Sequence, residues 1–216
     1  MSPQIKHRNR VVAHGEVFTS SREVNAMLDL VEHEAHRVDS RFLEPACGTG
    51  NFLCPVLERK LATVANRYRK SQVEYERYSI IALSSIYGVD ILFDNVEECR
   101  ERLFEVFSEN YARHFGSSIK EAVLQIARVI LETNILWGDA LSMRRADGSE
   151  EPIVFTEWTA VNGRKIKRRE YKLAHLMSGH PGDDHGLFSD LGEAAFLPKP
   201  VREYPLIDFM EIADQC

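Results

Sequence analysis

The stretch Arg41-Phe-Leu-Glu-Pro-Ala-Cys-Gly-Thr-Gly-Asn-Phe-Leu53 decides the fold class of this chain. Phe42 and Leu43 read as a short buried strand. Gly48 and Gly50 permit tight turns and close backbone approach. The residues after Gly50 open a helix. A strand–loop–helix unit of this kind can turn the backbone N–H groups of its loop toward a polar ligand at the helix N-terminus. Glu44, at the strand end, offers a carboxylate to a cation or a hydroxyl. The G-x-G-x-x-G spacing of a dinucleotide site is absent. The plainer reading is an ordinary glycine turn.

Two further apolar segments end in aspartate. Ile86-Tyr-Gly-Val-Asp-Ile-Leu92 predicts a strand closing on Asp90, and Asn134-Ile-Leu-Trp-Gly-Asp-Ala-Leu141 predicts one closing on Asp139. A carboxylate at the end of a second strand can accept both ribose hydroxyls of a nucleoside. Strand ends also carry aspartate simply to form turns. Helical spacing falls before and between these strands, at about 20–37, 50–69, 73–83, 96–107 and 118–131. Strands alternating with helices imply an α/β fold, with a parallel sheet covered on both faces. The Leu and Phe stripes on the helices belong to the core.

The texture changes after Leu141. Pro152-Ile-Val-Phe-Thr-Glu-Trp-Thr-Ala-Val161 and Arg164-Lys-Ile-Lys-Arg-Arg-Glu-Tyr-Lys-Leu173 flank Asn162-Gly163, the strongest local signal for a β-hairpin. Arg164, Lys165, Lys167, Arg168 and Arg169 form a strip that can track a phosphate backbone, with Trp158 and Tyr171 near enough to stack on bases. The same strip also serves as an edge protected against aggregation. Residues 178–205 are rich in proline and glycine. His180, Asp183, Asp184 and His185 fall there in irregular spacing, which reads as a solvated turn, so no metal site is expected.

Composition agrees with one soluble globular domain, at 28% charged and 44% hydrophobic residues in 216. A net charge of −6 argues against a surface that coats nucleic acid uniformly but leaves room for a local basic patch. Cys47, Cys54, Cys99 and Cys216 show no zinc spacing. No apolar run is long enough for a membrane span, and the polar start lacks a signal-peptide core, so a cytoplasmic protein is expected. Residues 1–14 read as a flexible basic arm, 15–145 as the α/β domain, and 146–216 as a basic hairpin and loop-rich extension of it.

Glu44-Pro-Ala-Cys-Gly-Thr-Gly-Asn-Phe-Leu53 resembles the first S-adenosylmethionine-binding motif of N6-adenine DNA methyltransferases, with Glu for the usual Asp and Thr for the usual Ser. Gly15-Glu-Val-Phe-Thr-Ser20, Asp90 and Asp139 fall in the order that family uses. The resemblance covers residues 15–141. It implies a partial or reduced Rossmann-like methyltransferase sheet that binds S-adenosyl-L-methionine and its product S-adenosyl-L-homocysteine. The implied cofactor residues are Val17, Phe18 and Thr19 over the methionine part, Glu44, Pro45, Ala46, Cys47, Gly48, Thr49, Gly50, Asn51 and Phe52 in the loop, and Asp90 with Ile91 at the ribose. Asp139, Ala140 and Leu141 are implied at the adenine. Ser20 followed by Glu23 reads equally as a helix N-terminus.

One departure governs the functional expectation. The family's Asn-Pro-Pro-Tyr, or Asp-Pro-Pro with an aromatic, holds the target amine and stacks on the flipped adenine. That tetrapeptide occurs nowhere here; Phe155-Thr-Glu-Trp158 stands where order predicts it. Three readings follow. The chain is the cofactor-binding part of a restriction–modification methyltransferase acting on DNA, its catalytic strand supplied by a second polypeptide. Or it is a minimal methyltransferase using Glu157 and Trp158 on DNA, RNA or protein. Or it is a non-enzymatic cofactor-binding module.

Overall fold

A computed structural model describes residues 19–177 and 199–215. The expectations for Val17, Phe18, residues 1–14 and the His180–His185 turn lie outside these residues. The first helix, α1 (Ser21–Leu30), starts where the sequence supplies a capping box. The Ser20 side chain accepts from the Glu23 backbone, and Glu23 reaches back to the Ser20 N–H. It buries Val24 and Leu28, one turn apart, and a short α2 (Glu32–His36) follows.

The central unit is β1 (Phe42–Glu44), α3 (Leu53–Tyr68), α4 (Gln72–Ser84), β2 (Ile86–Asp90), α5 (Phe93–Phe115), α6 (Glu121–Asn134) and β3 (Ile135–Asp139). The three strands are parallel and adjacent in the order β1-β2-β3, and the two-residue β4 (Arg144–Arg145) adds antiparallel to β3. Helix α5 buries Val96, Cys99, Leu103, Phe107 and Tyr111 at three- and four-residue spacing, then stops at Gly116, whose φ is +51°. Helix α4 is buried nearly all round over its second half, from Ser79 to Ser84.

The sheet is covered on both faces, with the crossover helices on one face only. Parallel strands joined in one direction by right-handed crossovers put every crossover helix on the same side. Ile86 and Ile135 accordingly pack with residues of α3 to α6 in the main core. The alternate residues Tyr87, Val89 and Leu136 face the other way and are covered by Ile153, Phe155 and Leu173 from the later chain.

That later chain forms a second antiparallel sheet. Strands β5 (Val154–Ala160) and β6 (Lys165–Lys172) are a hairpin turning at Asn162 and Gly163, and Gly163 has φ +57°. A short helix, α7 (Leu173–Met177), follows β6. Two two-residue strands, β7 (Arg202–Glu203) and β8 (Ile207–Asp208), pair with β6. A closing 3-10 helix (Phe209–Gln215) buries Phe209 and Ile212 in the main core beside Trp158 and Ile166. Residues 207–215 are thereby packed against the hairpin and the main core.

Candidate functional site

The glycine loop crosses the C-terminal ends of β1 and β2. Cys47 donates its N–H to the Val89 carbonyl at 2.9 Å, and Gly50 donates to the Cys47 carbonyl at 2.9 Å. Gly48 and Gly50 have φ of +50° and +83°, in the region that disfavours side chains. Gly50 is also held by space, since a Cβ there would lie 3.0 Å from the Cys99 Sγ. Helix α3 begins at Leu53, three residues later than Gly50, and its first buried residues, Leu53 and Cys54, seat the loop on the core.

Asp90 straps this loop down. One carboxylate oxygen accepts from the Gly48 N–H at 2.9 Å, and the other from the Leu92 N–H at 2.9 Å and the Asn95 side-chain amide at 3.3 Å. A carboxylate has about four lone-pair sites. Three are occupied here and Asp90 is only 8% exposed. It cannot accept both hydroxyls of a ribose without releasing the loop, so the expectation for this residue narrows to one hydroxyl at most.

The strand register brings the expected acids together. Glu44 pairs with Gly88, and Asp90 pairs with Trp137. Paired residues of parallel strands share a face, and so do residues two apart. Glu44, Asp90 and Asp139 therefore line one face of the sheet at its C-terminal edge. Glu44 accepts the Ala46 N–H at 3.3 Å, and its carboxyl is pushed above the usual range by burial, with no cation offsetting it. Asp139 accepts the N–H groups of Leu141 and Ser142, which hold it below the usual range. Ile91 and Leu141, at 50% and 93% exposure, expose apolar side chains after the second and third strands. The Trp137 indole donates to the Ile91 carbonyl at 2.9 Å, and Phe93 meets Trp137 edge-on at 5.1 Å. A polar loop, an uncompensated carboxylate and an apolar ledge lie along one edge. This donor set suits a ligand with a cationic part, a sugar and a planar ring.

Two supports of the loop escaped the sequence reading. Arg102 on α5 reaches back and donates one Nη1 to the Thr49 carbonyl at 2.6 Å, the Thr49 hydroxyl at 3.0 Å and the Asn51 side-chain oxygen at 2.8 Å. No local pattern marks it, since 53 residues separate it from Thr49. Gly88 lets the loop approach β2, because a Cβ there would sit 3.0 Å from the Cys47 Sγ. Its signal was readable: glycine inside a strand marks a close backbone approach. Cys47, Cys54 and Cys99 are buried free thiols, and burial pushes the Cys54 thiol up to about 12. They pack in the core, and a thiol raised by burial is disfavoured as the reactive thiolate.

Glu157 and Trp158 are not brought to this edge. Both are buried, and they lie with Asp39, Arg41, Ser84 and Ser85 at the N-terminal ends of β1 and β2. Glu157 is tied to Arg41 and to Arg169, and Trp158 is part of the main core. Four successive residues of β5, Phe155 to Trp158, are buried, because this strand is covered on both faces.

The basic strip is also different from its appearance in sequence. Arg164 makes two bonds to Asp208 at 2.7 and 2.9 Å, Lys167 meets Glu203 at 3.1 Å, Arg168 meets Glu170 at 3.0 Å, and Arg169 meets Glu157 and Glu203. Lys165 alone of the five makes no ion pair among the described residues. Four of the five cations are neutralised within the fold. No group of acids, histidines and cysteines suited to a metal occurs among the described residues, and no described helix is long and apolar enough to cross a membrane. Family models, curated proteins and solved structures give no match to this chain.

Proposed function

We propose that the chain binds S-adenosyl-L-methionine at the C-terminal edge of its parallel sheet, a reduced Rossmann-like methyltransferase fold. In this reading it is the cofactor-binding part of a DNA adenine-N6 methyltransferase of a restriction–modification system. The observation that carries the reading is the loop itself: Gly48 and Gly50, strapped by Asp90, beside two more strands ending in Asp90 and Asp139 with Glu44 on the same face. Glu44 suits the ammonium of the methionine part, and Ile91 and Leu141 suit the adenine faces. When bound, the cofactor supplies an electrophilic methyl group. The chain's own residues hold and orient it; Arg102 and Asp90 keep the loop closed.

The acceptor half comes from a second polypeptide in this proposal. Methyl transfer needs the target amine held in line with the methyl–sulfur bond at near-attack distance. Glu157 and Trp158, buried at the opposite end of the sheet, offer no such seat, which removes the support for a self-sufficient enzyme at those residues. Strand β1 is an edge of its sheet among the described residues. Phe42 donates to Ser85, so Phe42 and Glu44 turn their backbone groups toward β2 and Leu43 turns its own outward. A further strand pairing there would run beside the glycine loop. The test is transfer of labelled methyl groups to unmethylated DNA, and to RNA as the alternative substrate. The purified chain is expected to give none alone and to gain adenine methylation with a partner carrying Asn-Pro-Pro-Tyr. Robust methylation by the chain alone contradicts the divided site.

A further inference from the structure

We propose that the cleft beside the stacked pair Tyr68 and Tyr78 binds single-stranded nucleic acid, taking an unpaired base against the rings and phosphates on the surrounding cations. The two rings lie 4.0 Å apart and 6° from parallel. They line a cleft of about 690 Å³, whose apolar wall includes Val38, Ile81 and Ala160. That volume is within the range of about 300–1,000 Å³ typical of small-ligand sites. The stack joins the C-terminal end of α3 to the second turn of α4, and so gathers charges that are ten residues apart in sequence. Arg67 lines the cleft, Arg69 and Lys70 follow it exposed, and Arg77 sits 5.3 Å from the Tyr78 ring.

These cations differ from those of the hairpin. None of Arg67, Arg69, Lys70 and Arg77 makes an ion pair among the described residues. Of the two acids lining the cleft, Asp39 is engaged by Arg37 at 3.0 Å and Glu32 is exposed at the rim. Aromatic rings interleaved with free cations are the physical requirement for binding single strands: every base has a face to stack, and the backbone needs counter-charge. In a duplex those faces are covered. A chain of net charge −6 can offer such a surface only locally. The cleft opens at the N-terminal end of the sheet, far from the glycine loop, so it anchors a strand and does not depend on the cofactor reading.

The experiment is fluorescence anisotropy of a labelled twelve-nucleotide mixed-sequence single strand with the full chain, at several salt concentrations, with the blunt duplex as comparison. The single strand is expected to bind more tightly than the duplex and to weaken steeply with salt. Tyr68→Leu should weaken it about 5- to 150-fold, the loss of one base stack. Arg67→Gln with Arg77→Gln should weaken it and lower the slope of log affinity on log salt by about 1.4, two phosphate contacts on a single strand. Arg67 is exposed and Arg77 half-buried, and neither belongs to the core, so this variant keeps the test valid if Tyr68→Leu is poorly folded. Lys165→Gln on the hairpin should change little. No binding by the parent overturns the proposal, and so does duplex bound as tightly as single strand. Affinity unchanged in Arg67→Gln/Arg77→Gln, or lost only in Lys165→Gln, overturns it too.

Discussion

Asp90 carries more of the structure than its position at a strand end suggests. Its three hydrogen bonds fix the glycine loop, the turn after β2 and the start of α5. Removing a buried acceptor leaves its donors unpaired, at a cost of about 1–3 kcal/mol. Asp90→Ala should lower unfolding stability by that amount in a urea titration and weaken cofactor binding with it. Lys60 is a second residue whose role is set by burial. It is fully enclosed, and its ammonium donates to the Val38 and Ser40 carbonyls and to the Ser85 hydroxyl, tying the entry of β1 to the entry of β2. Burial pulls its pKa down from 10.5 to about 7. Between those values the unfolded chain binds the extra proton and the folded one does not, so stability rises with pH across that window. Urea midpoints at pH 7, 8 and 9 should increase in the parent, and this increment should be missing in Lys60→Met.

Among elements, the glycine loop and the helices were the most legible and the pairing of the basic strip the least. Gly48 and Gly50 announce a turn that only residues without a side chain make easily, and Asn162-Gly163 announces the hairpin for the same reason. Gly50→Ala should cost about 1–2 kcal/mol for the left-handed backbone alone, more where Cys99 must move, and should abolish cofactor binding. A differential scan of the variant with and without ligand reads both effects. Helical spacing at 73–83 located α4 to within a residue at each end, although its buried second half has no polar face. The neutralisation of the basic strip, by contrast, was invisible. Asp208 lies 44 residues from Arg164, and the Glu170 carboxylate that meets Arg168 accepts also from Tyr204. Tertiary pairing over such separations leaves no local pattern. Arg102 on the loop is the same case.

At the scale of the whole molecule, strand order explains the architecture. Because β1, β2 and β3 follow one another in one direction, the helices occupy one face and the later chain must cover the other. Ile153, Phe155 and Leu173 do so, while Trp158, Ile166, Phe209 and Ile212 reach the helix-side core. The hairpin is thereby a structural cover, and its apparent acceptor pair Glu157 and Trp158 is part of that cover. What the fold leaves open is the C-terminal edge of the sheet, with the loop and three acids, and the outer edge of β1. The most direct test of the account is isothermal titration of the full chain with S-adenosyl-L-homocysteine, alongside Gly50→Ala. The account predicts saturable one-to-one binding by the parent, with a matching upward shift of its melting temperature, and neither in the variant. No heat and no thermal shift in the parent would contradict it.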